Sequence, residues 1–270
     1  MYKYHCLNPI SPVGMGQLDA NYENTENAAD ADVILVRSAK MHEMEFGENL
    51  KAIARAGAGV NNIPLDRCAE EGIVVFNTPG ANANGVKELV IAGMLLAARD
   101  IVGGINWVKG YDEDGDIAKV AEKKKKAFAG TELKGKKLGV IGLGAIGRKV
   151  ADIAKAFGAH VIYYSASGRP VQEGYEQVDL NTLLRTSDVI SVHAPLNEYT
   201  ENLMDKAAFA KMKRSAIFLN LGRGPIVVEE DLAEALKQGT IAAAGVDVLR
   251  TEPIQPDNPL LAIKDSHKLL

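Results

Sequence analysis

The run Leu138-Gly-Val-Ile-Gly-Leu-Gly-Ala-Ile-Gly147 constrains this chain more than any other stretch. Its glycines at 142, 144 and 147 are spaced G-x-G-x-x-G behind an apolar, β-rich run. An alanine-rich amphipathic segment from Arg148 to Phe157, closed by Gly158, follows. That order reads as strand, tight turn and helix start, the context that a dinucleotide site requires. Gly142 permits the turn, Gly144 lets backbone approach a pyrophosphate, and Gly147 lets helix and strand pack closely. The helix N-terminus offers its unpaired N–H groups to the anion.

A chain of 270 residues exceeds the usual span of one domain, so two are expected, each with apolar content for its own core. The net charge of -4, with both signs interspersed, supplies no basic face of the kind that nucleic acid requires. The basic run Lys123 to Lys126 lies between alanines and reads as a solvated helix end or loop. Cys6 and Cys68 fit neither a disulfide framework nor a metal-ligand spacing, so free thiols in a reducing compartment and no metal are expected. The chain carries no apolar run of membrane-spanning length and no signal-like start at Met1-Tyr-Lys-Tyr-His-Cys, which makes a cytoplasmic protein the expectation.

Along the first hundred residues, short apolar runs at Asp32–Val36, Leu50–Arg55 and Ile73–Phe76 alternate with helical stretches, which predicts a parallel α/β sheet. Asn62 to Asp66 reads as a helix start with Pro64 in its first turn, and Gly72 ends that helix. From Asn84 to about Lys109 the pattern is helical and so apolar, especially over Leu89–Ala98, that a buried helix is expected, plausible between two domains. Strands are predicted again at Leu138–Ile141, Ala159–Tyr164, Asp188–Val192, Ala216–Leu219 and Ala243–Val248. The fold class is therefore α/β with two Rossmann-like domains of doubly wound parallel sheet, residues 1–99 and 100–270.

Ligands of such sheets sit beyond the carboxyl ends of the strands. Arg223 follows one predicted strand and Glu252 another, which puts both at that edge. An arginine there can grip a carboxylate and the adjacent carbonyl oxygen with its planar fork and polarise the carbonyl for hydride attack. A surface ion pair is the plainer alternative. A glutamate there can hydrogen-bond a catalytic histidine, raise its pKa and fix its tautomer. Asp247, read as lying within the last strand, either holds a nicotinamide carboxamide or caps the following turn. About twenty residues after the glycines, where NAD-specific sites carry an acid on the ribose 2′-hydroxyl, the chain offers Ser165 instead. With Ser167 and Arg169 beside it, a 2′-phosphate is also admissible.

Read together, Arg55-Ala-Gly-Ala-Gly-Val-Asn-Asn-Ile63, Asn77-Thr-Pro-Gly80, Val86-Lys-Glu88, the glycine turn, His193-Ala-Pro195, Asn220-Leu-Gly-Arg-Gly224, Gly245-Val-Asp247 and Glu252-Pro253 resemble the D-isomer-specific 2-hydroxyacid dehydrogenases. The first half most resembles the phosphoglycerate dehydrogenases of serine synthesis. The resemblance implies a flavodoxin-like N-terminal substrate domain, a cofactor domain, an active site in the cleft between them, and a homodimer formed through the cofactor domains. It implies that Gly57, Ala58, Gly59 and Val60 hold the substrate carboxylate through backbone N–H groups, that Arg223 orients the substrate, and that Glu252 supports the acid–base histidine. Gly142, Gly144, Ala145, Ile146, Gly147, Ser165, Ala194, Pro195, Leu221, Gly222 and Asp247 carry over as the cofactor contacts. NAD is the expected cofactor, with NADP left open by Ser165. The expected substrate is a small D-2-hydroxy or 2-oxo acid, with 3-phosphoglycerate the best fit; Arg37, Lys40 and Arg55 are candidates to meet its phosphate.

The family's catalytic histidine follows the position of Glu252 by roughly twenty residues, beyond Leu270. The chain is thus expected to be an incomplete copy lacking that histidine and the closing helix of the substrate domain. His267 is read as a solvated residue before a strand, and His193 as a possible substitute acid. An NAD(H)-sensing binding protein without turnover is the alternative reading.

Overall fold

The computed structural model describes residues 1–112, 116–166, 174–264, 266 and 268–270. Two compact units divide the chain, Met1–Asn82 and Ala83–Leu270.

The first unit contains β1 (Tyr2–Cys6), α1 (Pro12–Met15), β2 (Tyr22–Asn24), β3 (Val33–Val36), β4 (Ala52–Arg55), α2 (Leu65–Glu70) and β5 (Val74–Phe76). Its strands pair in the order β2-β1-β3-β4-β5, all parallel. This is the flavodoxin-like order expected from the resemblance. The core gathers Ile34, Val36, Met41, Ile53, Ile63, Cys68 and Ile73 from β3, β4, α2 and the intervening turns. Pro64 caps the start of α2, and Gly72 turns the chain toward β5 with φ +71.

The second unit opens with three helices, α3 (Ala83–Ala98), α4 (Ile101–Lys109) and α5 (Ile117–Lys124), and continues through β6 (Lys137–Ile141), α6 (Ala145–Ala156), β7 (His160–Tyr164), β8 (Glu176–Gln177), α7 (Leu180–Thr186), β9 (Val189–Val192), α8 (Lys206–Lys211), β10 (Ile217–Asn220), α9 (Glu229–Gln238) and β11 (Ala243–Val246). Its strand order is β11-β10-β9-β6-β7-β8, parallel throughout, which is the doubly wound order of dinucleotide-binding sheets. Both faces of this sheet are covered, so β9 and β10 read as unbroken buried runs rather than alternating ones. One face packs Ile190, Val192 and Phe218 against Leu183, Phe209, Leu232 and Leu236 of α7, α8 and α9. The other packs Leu138, Val140, Tyr163 and Leu219 against Val90 and Met94 of α3 and Val150, Ala151 and Ala154 of α6. Local chemistry sets the helix ends: Asp179 and Asp205 accept N–H bonds at the starts of α7 and α8, and left-handed Gly239 closes α9.

Three expectations need correction. The boundary falls between Asn82 and Ala83 rather than at residue 99, because α3 buries Val90, Met94 and Ala98 in the core of the second unit. The apolar stretch to Lys109 is two helices, broken where the Asp100 side chain accepts the Gly103 N–H and starts α4. Neither helix is buried all round: Leu89 is exposed on α3, and Ile101, Val102, Ile105 and Val108 are exposed on α4. Finally, β11 stops at Val246, so Asp247 stands just past the strand rather than within it. Beside β11, Lys268–Leu270 run parallel, with Ala244 N–H donating to Lys268 O and Val246 N–H to Leu270 O. No helix among the described residues is long and apolar enough to cross a membrane.

Candidate active site

Strand β6 delivers the glycine turn. Gly142 has φ +93, a conformation that disfavours side chains, and a Cβ there would lie 2.6 Å from Ala194 N. The turn after β6 therefore lies directly on the His193–Pro195 turn after β9, an approach reinforced by His193 N–H donating to Ile141 O. Gly147 is required by the same logic, since its Cβ would fall 2.3 Å from Gly142 O. Gly144 differs. A Cβ on it would meet no protein atom within 4 Å, so nothing inside the protein demands glycine at that position. It caps α6 without a side-chain hydrogen bond, and no acidic residue stands in the first turn, so the leading N–H groups near Ala145 and Ile146 have no capping side chain. This cradle fits a pyrophosphate: a Cβ would narrow it, and the helix end favours negative charge.

The other residues expected at the nucleotide leave the same edge of the sheet. Ser165 follows β7 directly, next to Tyr164, whose carbonyl accepts the Gly142 N–H at 2.9 Å. The end of β7 presents no carboxylate over Tyr164–Ala166. Ser167 and Arg169, candidates for a 2′-phosphate, lie outside the described residues, as does His267. Ala194 is buried and Pro195 exposed in the turn after β9. After β10, Asn220 organises Leu221-Gly222-Arg223: its Oδ1 accepts Gly222 N–H at 3.2 Å and its Nδ2 donates to Arg223 O at 3.0 Å. Asn220 O also accepts the Asp247 N–H, which joins the ends of β10 and β11.

Arg223 is half-buried, and its Nη1 donates to Gly222 O at 2.8 Å. Glu252 is exposed and its Oε1 accepts the Leu249 N–H at 3.0 Å. The turns carrying them are in contact, because a Cβ on Gly224 would sit 1.9 Å from Leu249 O. The structure thus brings the nucleotide candidates, Arg223, Asp247 and Glu252 to one edge of one sheet.

Gly57 to Val60 belong to the first unit and follow β4. Gly57 O accepts Thr78 N–H at 3.0 Å and Ala58 O accepts Asn77 Nδ2–H at 2.7 Å, so the loop is fixed through its carbonyls. Among the described residues, the N–H groups of Ala58, Gly59 and Val60 have no partner, as a loop that offers amides to a carboxylate requires. The Arg55 guanidinium lies against Gly57, where a Cβ would meet Nη1 at 2.1 Å.

His193 does not fit the role of substitute acid. Its Nε2 is bonded to Ser191 Oγ at 2.8 Å, its Nδ1 is buried without a partner, and burial pushes its pKa down to about 4. A histidine in that state carries no spare proton at neutral pH. Glu229 and Asn258, which hold the segment bearing Glu252, were not singled out from sequence; a glutamate opening a helix reads only as a favourable charge near its N-terminus.

Residues 91–267 match the model of the D-isomer specific 2-hydroxyacid dehydrogenase NAD binding domain. The chain is 42% identical over 267 residues to a hydroxypyruvate reductase of Thermotoga maritima, covering 93% of this chain and 84% of that one. It is 43% identical over 238 residues to a D-3-phosphoglycerate dehydrogenase of Archaeoglobus fulgidus, covering 86% of this chain but only 43% of the relative, less than half its length. The crystal structure of an NADPH-dependent glyoxylate/hydroxypyruvate reductase from Sinorhizobium meliloti superimposes with a TM-score of 0.82 at 25% identity, over 100% of this chain and 86% of that one.

The state of His193 has a measurable signature. Its ring resonances should keep their neutral positions from pH 8 to pH 5 and titrate with a midpoint of about 4; a midpoint of 6.5 would contradict the burial argument. Because the folded-state value is depressed, the site costs the fold nothing above pH 6.5. As pH falls from there toward 4, the unfolded chain takes up a proton that the folded one does not, and stability declines. With the glycine turn, the arginine turn and the glutamate segment converging on one sheet edge, and with the matches above spanning most of its length, the chain belongs to the D-isomer-specific 2-hydroxyacid dehydrogenase family.

Proposed function

We propose that the protein is an oxidoreductase that interconverts a D-2-hydroxy acid and its 2-oxo acid with a nicotinamide cofactor. The observation that carries this reading is the pairing, on one sheet edge, of an open glycine cradle at Gly144 with an arginine turn locked to the segment of Glu252. Bound nicotinamide supplies or accepts the hydride. Gly142, Gly144, Ala145, Ile146 and Gly147 receive the pyrophosphate, Ser165 meets the adenosine ribose, Ala194 and Pro195 line the adenosine, and Leu221, Gly222 and Asp247 face the nicotinamide end. Arg223 grips the substrate carboxylate and draws electron density from the carbonyl oxygen as negative charge grows there. Within the first unit, the amides of Ala58, Gly59 and Val60 are donors suited to a carboxylate.

Glu252 is the residue that would orient a histidine acid. In the second unit, among the described residues, no histidine at the carboxyl edge has a proton to give, since His193 is neutral. The neutral state of His193 leaves an NAD(H)-sensing binding protein without turnover as the second reading. For the cofactor we favour NAD, in keeping with the NAD-binding family model. The absence of a carboxylate at Ser165 weakens discrimination, and a relative of similar fold is NADPH-dependent. For the substrate we favour 3-phosphohydroxypyruvate. Arg37 and Lys40, exposed after β3, and Arg55 at the end of β4 supply cations near the Gly57 loop. A homodimer is the proposed assembly, with the exposed apolar face of α4 as a surface suited to burial in it. A solution mass of twice 28.9 kDa is the check on that assembly.

Fluorescence titration should give NADH and NADPH affinities within about tenfold of each other, and Ser165→Asp should weaken NADPH by about tenfold or more while sparing NADH. Discrimination beyond a hundredfold in the unaltered protein would contradict the role given to Ser165. On the NADH complex, 3-phosphohydroxypyruvate should bind more tightly than hydroxypyruvate, and Arg223→Ala should weaken both by about a hundredfold. Equal affinities would remove the phosphate assignment, and indifference to Arg223 would remove the proposed function itself.

A further inference from the structure

Among the described residues, Glu229 is the one charged side chain that is buried, with 7% of its surface exposed. A carboxylate withdrawn from water is costly unless its oxygens are hydrogen-bonded. Its neighbours in the first turn of α9, Glu230 and Asp231, already place negative charge at the helix N-terminus from more exposed positions, so that role does not account for its burial.

Both oxygens are committed to one segment. Oε1 accepts the Arg250 N–H at 2.6 Å and Oε2 accepts Asn258 Nδ2–H at 2.8 Å. Asn258 in turn accepts the Leu260 N–H at 2.9 Å and caps the short helical turn Pro259–Ile263, whose Leu260 is buried. Glu229 therefore ties both ends of the stretch from Arg250 to Asn258 to the start of α9. Glu252 lies inside that stretch and holds Leu249 N–H, so the consecutive amides of residues 249 and 250 are each bonded by a different carboxylate. The same dipeptide also lies against Gly224, whose Cβ would fall 1.9 Å from Leu249 O and 2.5 Å from Arg250 N. Gly224 is the neighbour of Arg223, and Glu229 follows it by five residues in the chain. One short stretch thus carries the arginine, the glycine on which the segment rests, and the carboxylate that fastens it.

We propose that Glu229 is a positioning residue: its buried carboxylate sets the segment of Glu252 against the turn of Arg223. This deepens the proposed function, since it rests on Arg223 and Glu252 being the pair that handles the substrate. Glu229 touches neither substrate nor cofactor and acts through Arg250 and Asn258. Gln at this position retains an acceptor for Arg250 N–H but turns a donor toward Asn258, so it should fall between the native residue and alanine.

The test combines amide exchange with binding of oxamate, an unreactive 2-oxo acid analogue, to the NADH complex of the 270-residue protein. In Glu229→Ala, exchange at Leu249 and Arg250 should accelerate by about tenfold or more while Val140 and Phe218 stay protected, and oxamate should weaken by about tenfold with NADH affinity unchanged. Glu229→Gln should show a smaller change in both. In an Arg223→Ala background, Glu229→Ala should weaken oxamate no further. Unaltered exchange at Leu249 and Arg250 would overturn the proposal. So would faster exchange with unchanged oxamate binding, or effects that add to those of Arg223→Ala, since either would leave Glu229 as a loop anchor alone. If the native protein bound NADH but not oxamate, the substrate reading would fail, and the exchange rates would still report whether Glu229 fastens the segment. A general loss of folding in Glu229→Ala would appear as faster exchange at Val140 and Phe218; Glu229→Gln would then decide the matter on the same two readouts.

Discussion

Two backbone contacts without room for a Cβ organise the second unit: Gly142 against Ala194 and Gly224 against Leu249. Each presses the turn leaving one parallel strand onto a segment leaving another. The first joins the glycine turn to the end of β9, and the second joins the arginine turn to the segment beyond β11. Asn220 completes the set: its side chain bonds Gly222 and Arg223, and its main-chain carbonyl accepts the Asp247 N–H. A parallel sheet brings its carboxyl ends to one edge, but edge loops are otherwise the most mobile parts of a fold. These glycine contacts fix several of them to one another, which lets the glycine turn and the arginine turn share a frame.

The features legible in the sequence are those governed by local stereochemistry. The G-x-G-x-x-G run became strand, turn and helix at the residues named, and Gly158 closes α6 with φ +81. The buried strands β9 and β10 were plain as short, mostly apolar runs. What escaped notice depends on partners distant in the chain. Strand β1, Tyr2 to Cys6, alternates with lysine and histidine and carries little apolar signal; it is defined by pairing with β2 and β3. The unit boundary was misjudged because a helix as apolar as α3 fits either core on composition, and only the contacts of Val90 and Met94 assign it. Glu229 was invisible because its partners, Arg250 and Asn258, lie 21 and 29 residues away.

The candidate site divides in the same manner. Gly144 was read from sequence as the point where backbone approaches a pyrophosphate, and the structure leaves its surroundings open: the other two glycines answer to protein atoms, whereas this one does not. Asp247 needed the true end of β11 to be seen as an edge residue. His193 looked serviceable as an acid by position alone. Its environment decides otherwise, because burial favours the neutral ring, with Nε2 bonded to Ser191 and Nδ1 buried.

The central claim is that the edge around Gly144 receives the nucleotide, and Gly144→Val tests it most directly. The backbone there, with φ -83 and ψ -158, suits any residue, and a Cβ meets no protein atom within 4 Å, so the fold should melt at the native temperature. The account predicts that this variant keeps its unfolding midpoint and loses NADH affinity by more than about tenfold. Native NADH affinity in a folded Gly144→Val protein would contradict it.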